Sequence, residues 1–178
     1  MSTYNENRAS ASLEISSGSP GGYISEETTH YSVVDAAGNA VAATTTLNNT
    51  FGNSIVADSA GFLLNNQMDD FSVKPGFPNM YGLVGGEANS VQPGKRMLSS
   101  MTPAIVEKDG NLFLVAGSPG GSTIPTTVFQ VIVNVIDFGM DIVQALDAGR
   151  FHHQWLPDWI SYEKNAIDSL TYEKLNDM

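Results

Sequence analysis

A threonine at the seam between a charged loop and a β-strand can do chemistry that a mid-strand threonine cannot. The stretch Ser25-Glu26-Glu27 runs straight into Thr28-Thr29-His30-Tyr31-Ser32-Val33-Val34-Asp35, an alternating strand pattern. At that junction the Thr28 hydroxyl can attack the Glu27 carbonyl and break the chain. Thr28 is then left with a free amine beside its own hydroxyl, and the amine serves as the base for the nucleophile. The competing reading is β-propensity alone, for which Thr-Thr before a strand needs no function.

Other candidates are small polar groups at the ends of predicted strands: Asn48, Gln67, Asp70, Ser99 and Ser100. Such a set can grip an amino acid, with Asp70 taking the ammonium and hydroxyls or amides taking the carboxylate. The same residue types also make ordinary turns. Ser118-Pro119-Gly120-Gly121-Ser122 places glycines at the opening of a helix, where backbone N–H groups form an anion or oxyanion site. No lysine follows the second glycine, so it is not a phosphate-binding Walker loop. His152-His153 invites a metal reading. Adjacent histidines point in different directions and no third ligand stands at a known spacing, so the expectation is a structural pair and no metal. His30 alternates with Tyr31 and reads as a hydrogen-bonded sheet residue. Asp69-Asp70 resembles a carboxylate pair, but sequence neighbours do not share a face.

The elements that must position these groups follow from periodicity and turn residues. Met1–Glu27 reads as a flexible leader, with Ser-Gly-Ser-Pro-Gly-Gly at 17–22. Thr28–Asp35 and Ala40–Leu47 form a hairpin through Ala36-Ala37-Gly38-Asn39. Ser54–Ala57 and Gly61–Leu64 are short strands, and 65–71 is a polar cluster closing a strand. Residues 72–99 hold five glycines and three prolines with little periodicity. A loop that long is more often functional than filler. Ala104–Lys108 and Leu112–Gly117 make a second hairpin around Asp109-Gly110-Asn111. Ile124–Phe138 is a buried helix by its length, starting near Pro125 and ending at Gly139. Asp141–Gly149 is a short helix capped by Asp141. Residues 151–157 are aromatic and turn-like, Trp159–Glu163 is strand-like, and Asp168–Leu175 is helical. Paired strands followed by helices predict an α+β fold with helices on a sheet.

Composition excludes several classes. Nineteen acidic against eight basic residues give a net charge of −11, with no basic stripe to neutralise phosphates, so nucleic acid is excluded as a partner. With no cysteine there is neither a disulfide framework nor a thiolate metal site. No run is long and apolar enough to span a membrane. Residues 1–20 lack the apolar core of a signal peptide.

Taken in order, the separate motifs become specific. Thr28–Asp35, Thr46-Leu47-Asn48, Leu64-Asn65-Asn66-Gln67-Met68-Asp69-Asp70-Phe71, Leu98-Ser99-Ser100-Met101, Gly117–Ser122 and Arg150–Asp158 together strongly resemble the small-subunit region of the γ-glutamyltranspeptidases, or glutathione hydrolases. The resemblance runs from about Ser16 to Glu163. It implies an N-terminal nucleophile hydrolase with a four-layer αββα sandwich, present here as the small-subunit portion, 28–178, behind a leader, 1–27. It implies that Thr28 is the nucleophile released by autocleavage after Glu27, and that Thr46 positions it. Asn48, Gln67 and Asp70 match residues that hold the α-amino end of the γ-glutamyl group. Ser99 and Ser100 match those that hold its α-carboxylate. Gly120 and Gly121 match the oxyanion hole, and Tyr81, within Lys74–Gly86, the gating tyrosine of a lid loop.

The expected substrates are glutathione or other γ-glutamyl compounds, with water, an amino acid or a dipeptide as acceptor and no cofactor. The family compartment is periplasmic or extracellular. In the family a large-subunit region precedes the leader and further strands follow the point where this chain stops. The expectation is therefore a fragment, or a chain completed by a large-subunit partner. The alternatives are a catalytically inactive fragment lacking the large subunit and a related cephalosporin acylase. The lid-like loop and the complete amino-acid pocket favour γ-glutamyl substrates.

Overall fold

The computed structural model describes residues 28–156 and 158–176. The predicted leader, Glu27 on the far side of the predicted cleavage bond, and Pro157 lie outside the described residues.

Among the described residues the longest hairpin comes first, β1 (Thr28–Val34) against β2 (Ala40–Thr46), antiparallel with Thr28 opposite Thr46. Both strands are rich in β-branched residues, which suit a pleated surface. The connecting turn is built by Asp35. Its carboxylate accepts from the backbone N–H of Ala37 and of Asn39, both at 2.9 Å, and from Asn39 Nδ2 at 2.7 Å. Those bonds, the Asn39 side chain first, hold the Asp35 carboxyl below its ordinary value. Alternation puts Thr28, His30 and Ser32 on one face of β1, and Thr29, Tyr31 and Val33 on the other.

Two-residue strands β3 (Val56–Ala57) and β4 (Phe62–Leu63) pair next. The polar cluster that follows is a 3-10 turn, Gln67–Asp70, rather than the closing end of a strand. The long loop carries a second 3-10 turn, Glu87–Asn89. The second full hairpin is β5 (Ala104–Lys108) with β6 (Asn111–Ala116). Asp109 and Gly110 both have positive φ, 54° and 76°, the backbone of a two-residue type I′ turn. Asn111 thus pairs with Lys108 instead of belonging to the turn.

The helices fall where length and caps place them. Helix α1 runs Ile124–Ile136 with Pro125 in its first turn. Helix α2, Ile142–Asp147, starts at a capping box in which Asp141 accepts from Gln144 N–H and Gln144 returns a bond to Asp141 N–H. Ile124, Val128 and Val131, one stripe of α1, join Ala145 of α2 in the buried core. A cavity of about 240 Å³ between α1, α2, β6 and the inner face of β1 is lined by His30, Ser32, Val115, Val128, Val131 and Ile142, among others.

Sequence reasoning missed one strand. Phe151–His152 is not a turn but β7, paired with β8 (Ser161–Tyr162). At two residues, β7 is too short to show alternation. It is held from outside by Gln130, whose amide donates to Phe151 O at 2.8 Å and accepts from Phe151 N–H at 3.1 Å. Arg150 and Glu163 close this hairpin with an ion pair at 2.9 Å. A last helix, α3, spans Ser169–Asn176.

The outer face of the first hairpin is uncovered: Tyr31, Val33 and Val41 are each more than half exposed. Among the described residues no helix is long and apolar enough to cross a membrane.

Candidate active site

Thr28 heads β1 and is buried, 8% exposed. Its Oγ1 lies 3.3 Å from Thr46 Oγ1 across the strand pair, donating to it. The chain bends back directly after Thr46, and the Asn48 N–H also donates to Thr46 Oγ1, at 2.9 Å. The Thr46 oxygen thus accepts from both sides, which fixes its rotamer beside Thr28. Asn48 is itself buried and holds a left-handed backbone, φ 76°, which asparagine tolerates better than most residues.

Asn66, which sequence reasoning did not single out, carries the second piece of the site to this one. Its N–H donates to Leu47 O at 3.1 Å, its Oδ1 accepts from Asn49 N–H at 2.9 Å, and its carbonyl accepts from Asn48 Nδ2 at 3.4 Å. The 3-10 turn bearing Gln67 and Asp70 follows at once. The only signal that could have found Asn66 was its place inside the motif at 64–71.

Asp70 faces a cavity of about 390 Å³, which Tyr81, Ser99 and Ser100 also line. Burial, and secondarily the neighbouring Asp69 carboxylate, pushes the Asp70 carboxyl above its ordinary value. Asp69 is otherwise engaged: its Oδ2 accepts from Met80 N–H at 3.1 Å, tying down the loop that carries Tyr81. The Tyr81 hydroxyl donates to Asn48 O in a short bond. One wall of the cavity is thereby joined to the Thr28–Thr46 end of the hairpin. Gln67 and Asn48 do not line the cavity themselves.

The glycine loop arrives from β6. The His30 ring is wedged there, bonded to Thr44 Oγ1 at 2.8 Å and Ser32 Oγ at 3.1 Å, and it lies directly over Gly117. A Cβ on Gly117 would sit 2.1 Å from His30 Nδ1. His30 is on the same face of β1 as Thr28, two residues on, about 7 Å along the strand. Gly120 and Gly121 are both buried and have φ of 135° and 56°. A Cβ on Gly120 would meet Thr123 Oγ1 at 2.6 Å, so that position requires glycine on steric as well as conformational grounds. Helix α1 begins immediately after, with its N-terminus at this loop.

The two histidines part ways. His152 uses both ring nitrogens within the fold, on Thr126 Oγ1 at 2.8 Å and Gln154 Oε1 at 2.9 Å, and Gln154 in turn donates to Tyr81 O at 3.2 Å. His153 reaches Asp158 through Nε2 at 3.4 Å and accepts from Trp155 N–H through Nδ1 at 3.4 Å. Among the described residues no group of three or more histidine, aspartate or glutamate side chains is placed to hold a metal.

The chain matches the family model described as gamma-glutamyltranspeptidase over residues 3–178. It is 63% identical over 158 residues to the glutathione hydrolase proenzyme of Escherichia coli K12, a match covering 89% of this chain and 27% of that protein. A second glutathione hydrolase proenzyme, from Pseudomonas sp. strain A14, is 49% identical over 96% of the chain and 30% of its own length. The chain thus spans less than a third of these relatives. The fold is similar to a mutant γ-glutamyltranspeptidase of Helicobacter pylori, with TM-score 0.80 and 57% identity, over 84% of this chain and 80% of that one.

Proposed function

The chain belongs to the γ-glutamyltranspeptidase family, and on that premise we propose that it carries the catalytic residues for γ-glutamyl transfer from glutathione and other γ-glutamyl compounds to water, an amino acid or a dipeptide. Residues 28–178 are then the small-subunit catalytic region, and 1–27 the segment ahead of the cleavage site.

In the first reaction the Thr28 hydroxyl adds to the Glu27 carbonyl. The peptide C–N bond breaks, the acyl group passes to oxygen, and the proton passes to the new amine. Water hydrolyses the ester and leaves Thr28 with a free amine. In the second reaction that amine takes the Oγ proton as oxygen attacks the γ-amide carbon of the substrate. Thr46, accepting from Thr28, aims the nucleophile. The tetrahedral oxyanion is met by the Gly120 and Gly121 amides. Collapse returns the proton to the leaving amine and leaves a γ-glutamyl ester on Thr28. Water or an acceptor amine then completes the cycle.

The γ-glutamyl group ends in an amino acid, so its pocket needs both signs. Asp70 supplies the negative one, and Ser99 and Ser100 supply hydroxyl donors to the carboxylate; Asn48 and Gln67, which do not line the cavity, meet the ammonium only if their side chains turn towards it. An ammonium next to Asp70 opposes the burial that raises its carboxyl, so substrate and site neutralise each other. Tyr81 closes the cavity from the loop side. This two-sided pocket favours a γ-glutamyl group over the acyl groups of a cephalosporin acylase.

What supports the reading most is one observation: the hydroxyls of buried Thr28 and half-buried Thr46 face each other at the first register position of the sheet. The exposed face of Tyr31, Val33 and Val41 favours a covering layer, which we assign to a large-subunit region. Without it the chain is expected to be inactive. The test is rapid-quench mass spectrometry of the chain joined to the upstream region of the E. coli relative. After mixing with γ-glutamyl-p-nitroanilide, a γ-glutamyl adduct is expected on the peptide that begins at Thr28. An adduct on another residue would refute the assignment.

A further inference from the structure

The two arms of the proposed pocket, Asp70 on one side and Ser99-Ser100 on the other, come from separate segments of irregular backbone. One buried side chain ties the segments together. Asn89 ends the 3-10 turn Glu87–Asn89 and is only 9% exposed. Its Nδ2 donates to Asp70 O at 2.7 Å, and its Oδ1 accepts from Leu98 N–H at 3.1 Å. Its own carbonyl accepts from Ser72 N–H at 2.9 Å. The amide orientation is set by these partners, since a flipped side chain would put acceptor against acceptor and donor against donor. Leu98 immediately precedes Ser99, so each end of one rigid amide holds the backbone of one arm. Asp70, Asn89, Leu98, Ser99 and Ser100 all border the same cavity.

We propose that Asn89 is a positioning residue that sets the spacing between the ammonium-binding and carboxylate-binding arms, and so selects acyl groups bearing both charges on one carbon. The proposal rests on the function proposed above, in which those arms contact substrate. An α-ammonium and an α-carboxylate have a fixed separation. Both are gripped at once only if the arms are held at that separation before binding. A substrate with one of the two charges uses one arm and is indifferent to the distance between them. A scaffold residue with no such role would instead affect both substrates alike when replaced.

The test uses the chain joined to the upstream region of the E. coli relative, assayed with γ-glutamyl-p-nitroanilide and with glutaryl-p-nitroanilide, which keeps the carboxylate and lacks the ammonium. Asn89→Asp keeps the size and the bond from Leu98 but loses the donor to Asp70; Asn89→Ala loses both. For both variants the expected result is a KM for the γ-glutamyl substrate raised about tenfold, with kcat within about threefold, from the loss of a buried hydrogen bond. Turnover of the glutaryl substrate changes less than about twofold, so the preference for the γ-glutamyl group falls about tenfold. Appearance of the Thr28 N-terminus reports that each variant folds, and if Asn89→Ala fails to process, Asn89→Asp decides. An unchanged preference, with both substrates slowed together or neither affected, would overturn the proposal. If the unsubstituted protein turns over no γ-glutamyl substrate, the proposed function falls and the clamp with it, a failure distinct from the first.

Discussion

Replacing Gly117 by alanine should slow γ-glutamyl turnover about a hundredfold while leaving the chain folded. Gly117 has no left-handed backbone, so alanine meets no conformational penalty there. The obstacle is His30. The new Cβ would lie 2.1 Å from His30 Nδ1 and 2.2 Å from Cε1, where contact normally begins near 3.5 Å. Something must move by about 1.4 Å to restore that contact. The His30 ring is tied to Thr44 and Ser32, so much of the shift falls on the loop that carries Gly120 and Gly121. A displacement of about 1 Å in a group that meets the reacting atoms costs about a hundredfold. The assay is steady-state hydrolysis of γ-glutamyl-p-nitroanilide by the chain joined to the E. coli upstream region, with KM expected to change little. His30→Ala should partly rescue Gly117→Ala by opening space, so the two substitutions should be strongly non-additive. Gly117→Ala within twofold of the parent, or a double variant no faster than Gly117→Ala alone, would refute the reasoning.

Other consequences follow from the charged wall of the cavity. Asp70→Ala should lower kcat/KM for γ-glutamyl substrates by about a hundredfold or more, since the ammonium loses its partner, while cleavage before Thr28 continues; this is read by kinetics and by intact mass. The Asp70 carboxyl is raised by burial and by Asp69, and it must be ionised to hold an ammonium, so kcat/KM should fall as pH drops through that raised value. Asp69→Asn removes the smaller of the two causes and should move this acidic limb of the pH profile downward. The linkage has the opposite sign for stability. A carboxyl raised in the folded state costs stability as pH rises through the interval above 3.8, and Asp69→Asn should reduce that loss in chemical denaturation measured across this range.

The hairpins and helices were legible because their signals are local. Asp109-Gly110 demands a tight turn, Pro125 opens α1, and Asp141 with Gln144 makes a capping box. The strand at Phe151–His152 was not legible, because it is specified by Gln130 on a distant helix and not by its own two residues. The same division runs through the site. Thr28, Asp70 and the glycine pair stand out in the sequence by residue type, and motif order pointed to Thr46 and Tyr81. Asn66 and Asn89 look like any turn asparagine in the sequence. Their work lies in which backbone groups they bridge, and that becomes visible only when segments far apart in the chain are brought together.

The central claim is that Thr28 becomes the nucleophile only when its amine is released from Glu27. Intact-mass and N-terminal measurements on the purified chain, alone and co-expressed with the upstream region of the E. coli relative, test it most directly. In the first case the chain should stay uncleaved and show no γ-glutamyl turnover. In the second a new N-terminus at Thr28 should appear together with turnover, both abolished by Thr28→Ala. Cleavage at another bond, or γ-glutamyl turnover by the Thr28→Ala protein, would contradict the claim.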